Sequence, residues 1–126
     1  MSIRGVGTDL VAIARIAEVL ERHPQRFPAR VLTEAEQAVW RQRNRSIGWL
    51  ARRFAAKEAV AKALGTGIGA AVGFQDLEIG NDAAGAPQVH LQGGAAERAR
   101  ALGGEIVHLS LSDERRYAVA FAVLES

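Results

Sequence analysis

The 126-residue chain contains no cysteine. Disulfide staples, thiolate nucleophiles and Cys-ligated zinc are therefore excluded, and a cytoplasmic location is expected. Lysine is almost missing as well: 14 of the 16 basic residues are Arg, leaving only Lys57 and Lys62, five positions apart. A chain that uses Arg wherever a generic cation will do suggests a need for an ammonium at those two places. No apolar run approaches the ~18 residues of a membrane span. The opening MSIRGVGTDLVAI carries Asp9 within its apolar stretch and has no clean small-residue cleavage site, so it does not read as a signal peptide. The three histidines have no zinc-type spacing and no nucleophile stands beside a base, which disfavours zinc chemistry and hydrolase triads. Bulky apolar side chains are modest in number too. Of 61 hydrophobic residues 24 are Ala, so a compact domain can form but a large core cannot.

What is present is an uneven charge. The formal net charge is only +2, yet residues 1–62 carry 12 basic and 6 acidic side chains, against 4 and 8 in residues 63–126. From Arg22 to Lys57 nine basic residues meet only Glu34 and Glu36. That density suggests a polyanionic partner, whether nucleic acid, phosphates or an acidic protein, although any single Arg is more often part of a solvated helix face.

Periodicity gives one α+β domain over residues 1–126, with neither a repeat nor a linker. Ile3 to Val11 reads as a strand, and Ile13, Ile16, Val19 and Leu20 continue at helical spacing. Pro24 and Pro28 break the pattern. Thr33 stands three residues before Glu36 as a capping box that opens a helix through Val39 and Trp40. Residues 47–64 form the strongest helix, ended by Gly65-Thr66-Gly67. Beyond it, 74–79 and 88–92 read as a loose hairpin, 94–102 as a short helix, and 106–112 with 117–124 as a second hairpin.

Three places could carry chemistry. In Gly5-Val6-Gly7-Thr8-Asp9 a lone carboxylate follows two glycines in an apolar stretch. Asp9 needs a partner if buried; a turn or N-cap role is the plainer alternative, and Gly-x-Gly alone is weak evidence for a phosphate loop. In Phe54 to Gly67, Glu58 lies at the margin of the apolar stripe with Lys62 one turn on, while Lys57 falls in its middle. Glu58 and Lys62 could be an ordinary surface pair. Hard carboxylates on two elements, Asp9 and Glu58, would suit Mg²⁺. In Ile106 to Ser112 the alternation puts His108, Ser110 and Ser112 on one face, most simply a solvated one.

G-V-G-T-D-L-V-A-I-A-R-I and F-A-A-K-E-A-V-A-K-A-L-G-T-G, in this order and at this spacing, resemble the holo-acyl-carrier-protein synthase family. The resemblance continues through R-V-L-T-E-A-E, G-F-Q-D-L-E-I, the N-D-x-x-G-x-P turn and H-L-S-L-S-D-E-R-R-Y-A-V-A, covering almost the whole chain. It implies a small α+β domain that forms a homotrimer with active sites between protomers. The implied reaction moves 4'-phosphopantetheine from coenzyme A to a serine of apo-acyl carrier protein. By the same resemblance Mg²⁺ is held by Asp9 and Glu58, and Asp9, Glu58 and Lys62 carry catalysis. Coenzyme A is bound by Lys62, Gly65, Thr66, Gly67, Arg53, Ser110 and His108, the histidine reaching in from the adjacent chain. Carrier docking falls to Arg15, with Arg22 and Arg26 as further candidates. Ala12 departs from the pattern, since relatives often carry Glu there. Neither nucleic acid nor membrane is an expected partner. Rival readings are a small basic nucleic-acid-binding domain, which lacks an aromatic stacking run, and a Mg²⁺-dependent phosphohydrolase using the same carboxylates.

Overall fold

A computed structural model describes all residues, 1–126. Strand β1 (Ile3–Ala12) runs directly into α1 (Ile13–Arg22). The chain then turns at Pro24 and makes a helix the periodicity did not show, α2 (Arg26–Val31). Pro28 sits in its first turn, where a missing N–H leaves no intrahelical bond unmade. The expected capping box opens α3 (Glu34–Gln42): the Thr33 amide donates to Glu36 Oε1 at 2.8 Å, and the Glu36 amide donates to Thr33 Oγ1 at 3.3 Å. Ser46 caps the long α4 (Ile47–Ala63) by accepting from the Trp49 amide.

The second half is shorter-ranged. Phe74–Asp76 is a 3-10 turn rather than the start of a strand, because the Asp76 carboxylate accepts from the Gly73 amide at 2.9 Å and curls the backbone there. There follow β2 (Leu77–Asn81), β3 (Pro87–Leu91), α5 (Gly93–Ala101), β4 (Ile106–Asp113) and β5 (Tyr117–Glu125). The antiparallel sheet β1-β5-β4 is separate from the β2-β3 hairpin. This is the expected α+β domain with mainly antiparallel strands.

Register decides the two faces of the large sheet. Gly7 stands opposite Ala122, Asp9 opposite Ala120 and Val11 opposite Ala118, and α4 lies across this inner side. A Cβ on Gly5 would collide with the Ala63 carbonyl oxygen and one on Gly7 with that of Ala59, so the strand touches the helix backbone directly. Ala118, Ala120 and Ala122 of β5 are fully buried and serve the close contact with α4 within the chain. The other side carries Val6 and Leu10 of β1, Tyr117, Val119 and Phe121 of β5, all exposed, with His108, Ser110 and Ser112 of β4.

Candidate active site

The two glycines of β1 are small because α4 is close, and that closeness builds the site. With no Cβ at positions 5 and 7, the strand slides along α4 until Asp9 reaches Lys62. The Lys62 ammonium donates to Asp9 Oδ1 at 3.1 Å and to the Thr8 carbonyl at 3.0 Å. Glu58 lies one helical turn before Lys62. Burial pushes its carboxyl above the usual range, the nearby Asp9 charge pushes it further, and Lys62 and Arg30 pull it back. Two mutually repelling carboxylates on different elements, with the Lys62 ammonium bonded to Asp9 rather than to its i−4 neighbour Glu58, form a site for charge rather than an ordinary surface pair along one helix.

Such a pair fits magnesium by its donor set. Both ligands are hard carboxylates from different elements, and a dication between them would relieve their repulsion. Nowhere do three or more His, Asp or Glu side chains converge. A cation at Asp9 and Glu58 would thus keep most of its shell for water or phosphate oxygens, as Mg²⁺ commonly does.

Lys57 has a different task. It is fully buried, and its three N–H groups go to Glu36 Oε1 at 2.6 Å, the Val31 carbonyl at 2.7 Å and the Phe74 carbonyl at 3.0 Å. The other Glu36 oxygen accepts from the Ile79 amide at 2.7 Å. Three acceptors on three different segments suit a tetrahedral ammonium and not a planar guanidinium, which is the physical reason for lysine here. Burial lowers the Lys57 pKa, and the Glu36 charge opposes the shift.

The remaining expected residues are not gathered in one chain. Arg53 is buried on another face of α4, stacked 4.4 Å over Trp49 and donating to Asn81 Oδ1 at 3.1 Å; desolvation brings its pKa down to about 10. Gly65, Thr66 and Gly67 lie just past Lys62, but their amides donate to the carbonyls of Lys62 and Ala61 and so close the helix. Gly65 (φ +80°) and Gly67 (φ +66°) supply the left-handed backbone of that ending. His108 and Ser110 are on the outer face of the sheet, opposite to Asp9, with His108 Nε2 2.9 Å from Glu125 Oε1. Arg15 and Arg22 are exposed on α1, while Arg26 begins α2 and does not continue the first helix.

Helix α2 leaves little trace in the periodicity of the chain. Arg26, Phe27 and Arg30 with Val19 and His23 line a surface pocket of about 520 Å³, and Arg30 lies 5.9 Å over Phe74. A signal was available, since Arg30 follows Arg26 by four residues. Pro28 masked it as a break.

A family model described as the 4'-phosphopantetheinyl transferase superfamily matches residues 5–122. The chain belongs to the 4'-phosphopantetheinyl transferase superfamily. Among curated members, the holo-[acyl-carrier-protein] synthase of Shewanella frigidimarina is 55% identical over 126 residues, the full length of both chains. The crystal structure of the holo-[acyl-carrier-protein] synthase of Neisseria meningitidis superimposes with a TM-score of 0.93 at 41% identity, covering 99% of this chain and 100% of that one. A Bacillus anthracis synthase, solved in complex with CoA (3',5'-ADP), gives 0.82 at 40% identity, covering 98% and 97%. In this superfamily member the α+β fold expected from the sequence is the observed one.

Proposed function

We propose that this chain carries out the reaction of a holo-[acyl-carrier-protein] synthase, transferring 4'-phosphopantetheine from coenzyme A to a serine of apo-acyl carrier protein and releasing adenosine 3',5'-bisphosphate. The carrier is thereby activated for fatty acid biosynthesis. The observation that carries this reading is the meeting of Asp9, Glu58 and Lys62 at the β1–α4 contact, in a chain 55% identical to a synthase along its whole length.

The chemistry follows from the groups present. The serine oxygen attacks the β-phosphorus of coenzyme A, and the bond to the bridging oxygen breaks. Glu58, with its pKa raised by burial and by Asp9, takes the serine proton directly or through a water. Lys62 neutralises or protonates the departing phosphate. Magnesium held by Asp9 and Glu58 would neutralise charge on the pyrophosphate. Arg53 and the 65–67 turn are assigned to coenzyme A, and Arg15, Arg22 and Arg26 to the carrier.

We further propose a homotrimer with shared sites, working in the cytoplasm without nucleic-acid or membrane partners. Its support is the apolar outer face of the sheet, with Phe121 49% exposed, and the position of His108 and Ser110 on that face. From there they can serve an Asp9–Glu58 site only if it belongs to a second copy. No helix is long and apolar enough to cross a membrane.

Mass spectrometry of apo-acyl carrier protein incubated with coenzyme A, Mg²⁺ and this protein tests the reading. The carrier should gain one phosphopantetheine; coenzyme A breakdown with an unmodified carrier would instead indicate a phosphohydrolase. A stable, fully active monomer in sedimentation would contradict the shared site.

A further inference from the structure

Helix α2 is too short to hold itself. It has six residues, no side-chain N-cap and no acidic residue in its first turn, so little within it favours the helical state. Yet four successive carbonyls at its C-terminal end, those of Ala29, Arg30, Val31 and Leu32, all accept from side chains of other segments. Lys57 takes Val31. The two N–H groups of the Gln75 carboxamide are shared among the other three, with Nε2 2.9 Å from the Ala29 oxygen, 3.3 Å from that of Arg30 and 2.8 Å from that of Leu32. Gln37 adds a second donor to Leu32 at 3.2 Å.

Gln75 is exposed, so its amide is not bonded merely to avoid burial without a partner. Its own position is anchored from behind, where Gln92 Nε2 donates to the Gln75 carbonyl at 2.8 Å and the Gln92 amide to the Asp76 carbonyl at 2.9 Å. A continuous chain of contacts thus runs from the segment before α5, through the 3-10 turn, to the end of α2. What α2 carries is the pocket of Arg26, Phe27 and Arg30, and its Phe27 ring packs 6.0 Å from that of Phe54, one turn before Glu58 on α4.

We infer that Gln75 is a positioning residue for the acyl carrier protein: acting through the carbonyls of 29, 30 and 32, it holds α2 so that the Arg26–Phe27–Arg30 pocket faces an incoming carrier beside Glu58. This rests on the proposed transferase reaction and on carrier docking at α1 and α2. Gln75 touches neither coenzyme A's proposed ligands nor the reacting groups, so its effect should be confined to one substrate.

The test uses the full chain and the variants Gln75→Glu and Gln75→Met, which keep the side chain's length but lack its N–H donors. Steady-state kinetics should show KM for apo-acyl carrier protein raised about 10-fold in both, as expected for lost hydrogen bonds, with KM for coenzyme A unchanged. Hydrogen exchange should quicken in residues 26–31 and not in α4. An unchanged carrier KM despite faster exchange in α2 would overturn the inference, as would equal shifts in both KM values. If the wild-type protein modifies no carrier at all, the function reading fails first.

Discussion

Helix α4 carries two lysine ion pairs on different sides, and the two are built for opposite ends. On one side Lys57 is 0% exposed, 2.6 Å from a Glu36 that is itself buried, with every N–H and both carboxylate oxygens occupied. On the other, Lys62 is 48% exposed and 3.1 Å from Asp9, beside a second carboxylate that Asp9 repels. The buried pair is complete and ties α2, α3 and the 3-10 turn to α4. The open pair is incomplete, because the Lys62 ammonium bonds Asp9 while a second carboxylate, Glu58, stands one turn before it on the same helix. Desolvation makes the first expensive to break, and solvent makes the second cheap to rearrange.

Substitutions on each side should separate these roles, and their effects on stability should fall in order. Lys57→Met leaves Glu36 buried without its cation and should cost about 3–5 kcal/mol in urea unfolding. Adding Glu36→Leu should cost less than the two single changes summed, because the partners interact directly. Gly7→Ala comes next. Its Cβ would meet the Ala59 carbonyl oxygen, and forcing β1 off α4 should cost about 1–3 kcal/mol. Turnover should fall with it, because the same displacement moves Asp9 from Lys62. Lys62→Met reverses that balance, with stability altered by less than about 1 kcal/mol and turnover reduced about 100-fold in the carrier-labelling assay. An equal stability loss at Lys57 and Lys62 would erase the contrast between the pairs.

The smallest effect has a sign that a structural role would not give. Because the native Glu58 pKa is raised, its stabilising contribution is complete below the unfolded value of about 4.3 and is lost as pH rises through the native value. Glu58→Gln removes that loss. Thermal unfolding should therefore show the variant more stable than wild type by a fraction of 1 kcal/mol at neutral pH, with no gain below about pH 4, while turnover is abolished. Lower stability of Glu58→Gln at pH 7 would refute the assigned repulsion.

Much of this was legible along the chain because it depends on near neighbours. The Thr33–Glu36 capping box, the span of α4 and its glycine ending, and the alternation in β4 are local patterns of three to five residues, and each appears in the fold. Helix α2 was hidden because Pro28 looks like a break unless the start of the helix is known. The 3-10 turn at 74 was hidden because its cause is a side-chain bond from Asp76 to the Gly73 amide. The Gly-x-Gly motif was ambiguous between a phosphate loop and a close contact, and only α4 lying on β1 settles it as a contact.

The sequence by itself determined the α+β class, the helix that bears Lys57, Glu58 and Lys62, and the family resemblance, since residue type and short-range spacing carry that information. Helical spacing already set Lys57 inside the apolar stripe and Lys62 beyond its margin, but which groups each ammonium meets was decided by tertiary structure alone. Glu36 lies 21 residues from Lys57, and Asp9 lies 53 from Lys62. A charge's role depends on which distant partner meets it and how much water remains between them, and neither is set until the helix is laid against the sheet.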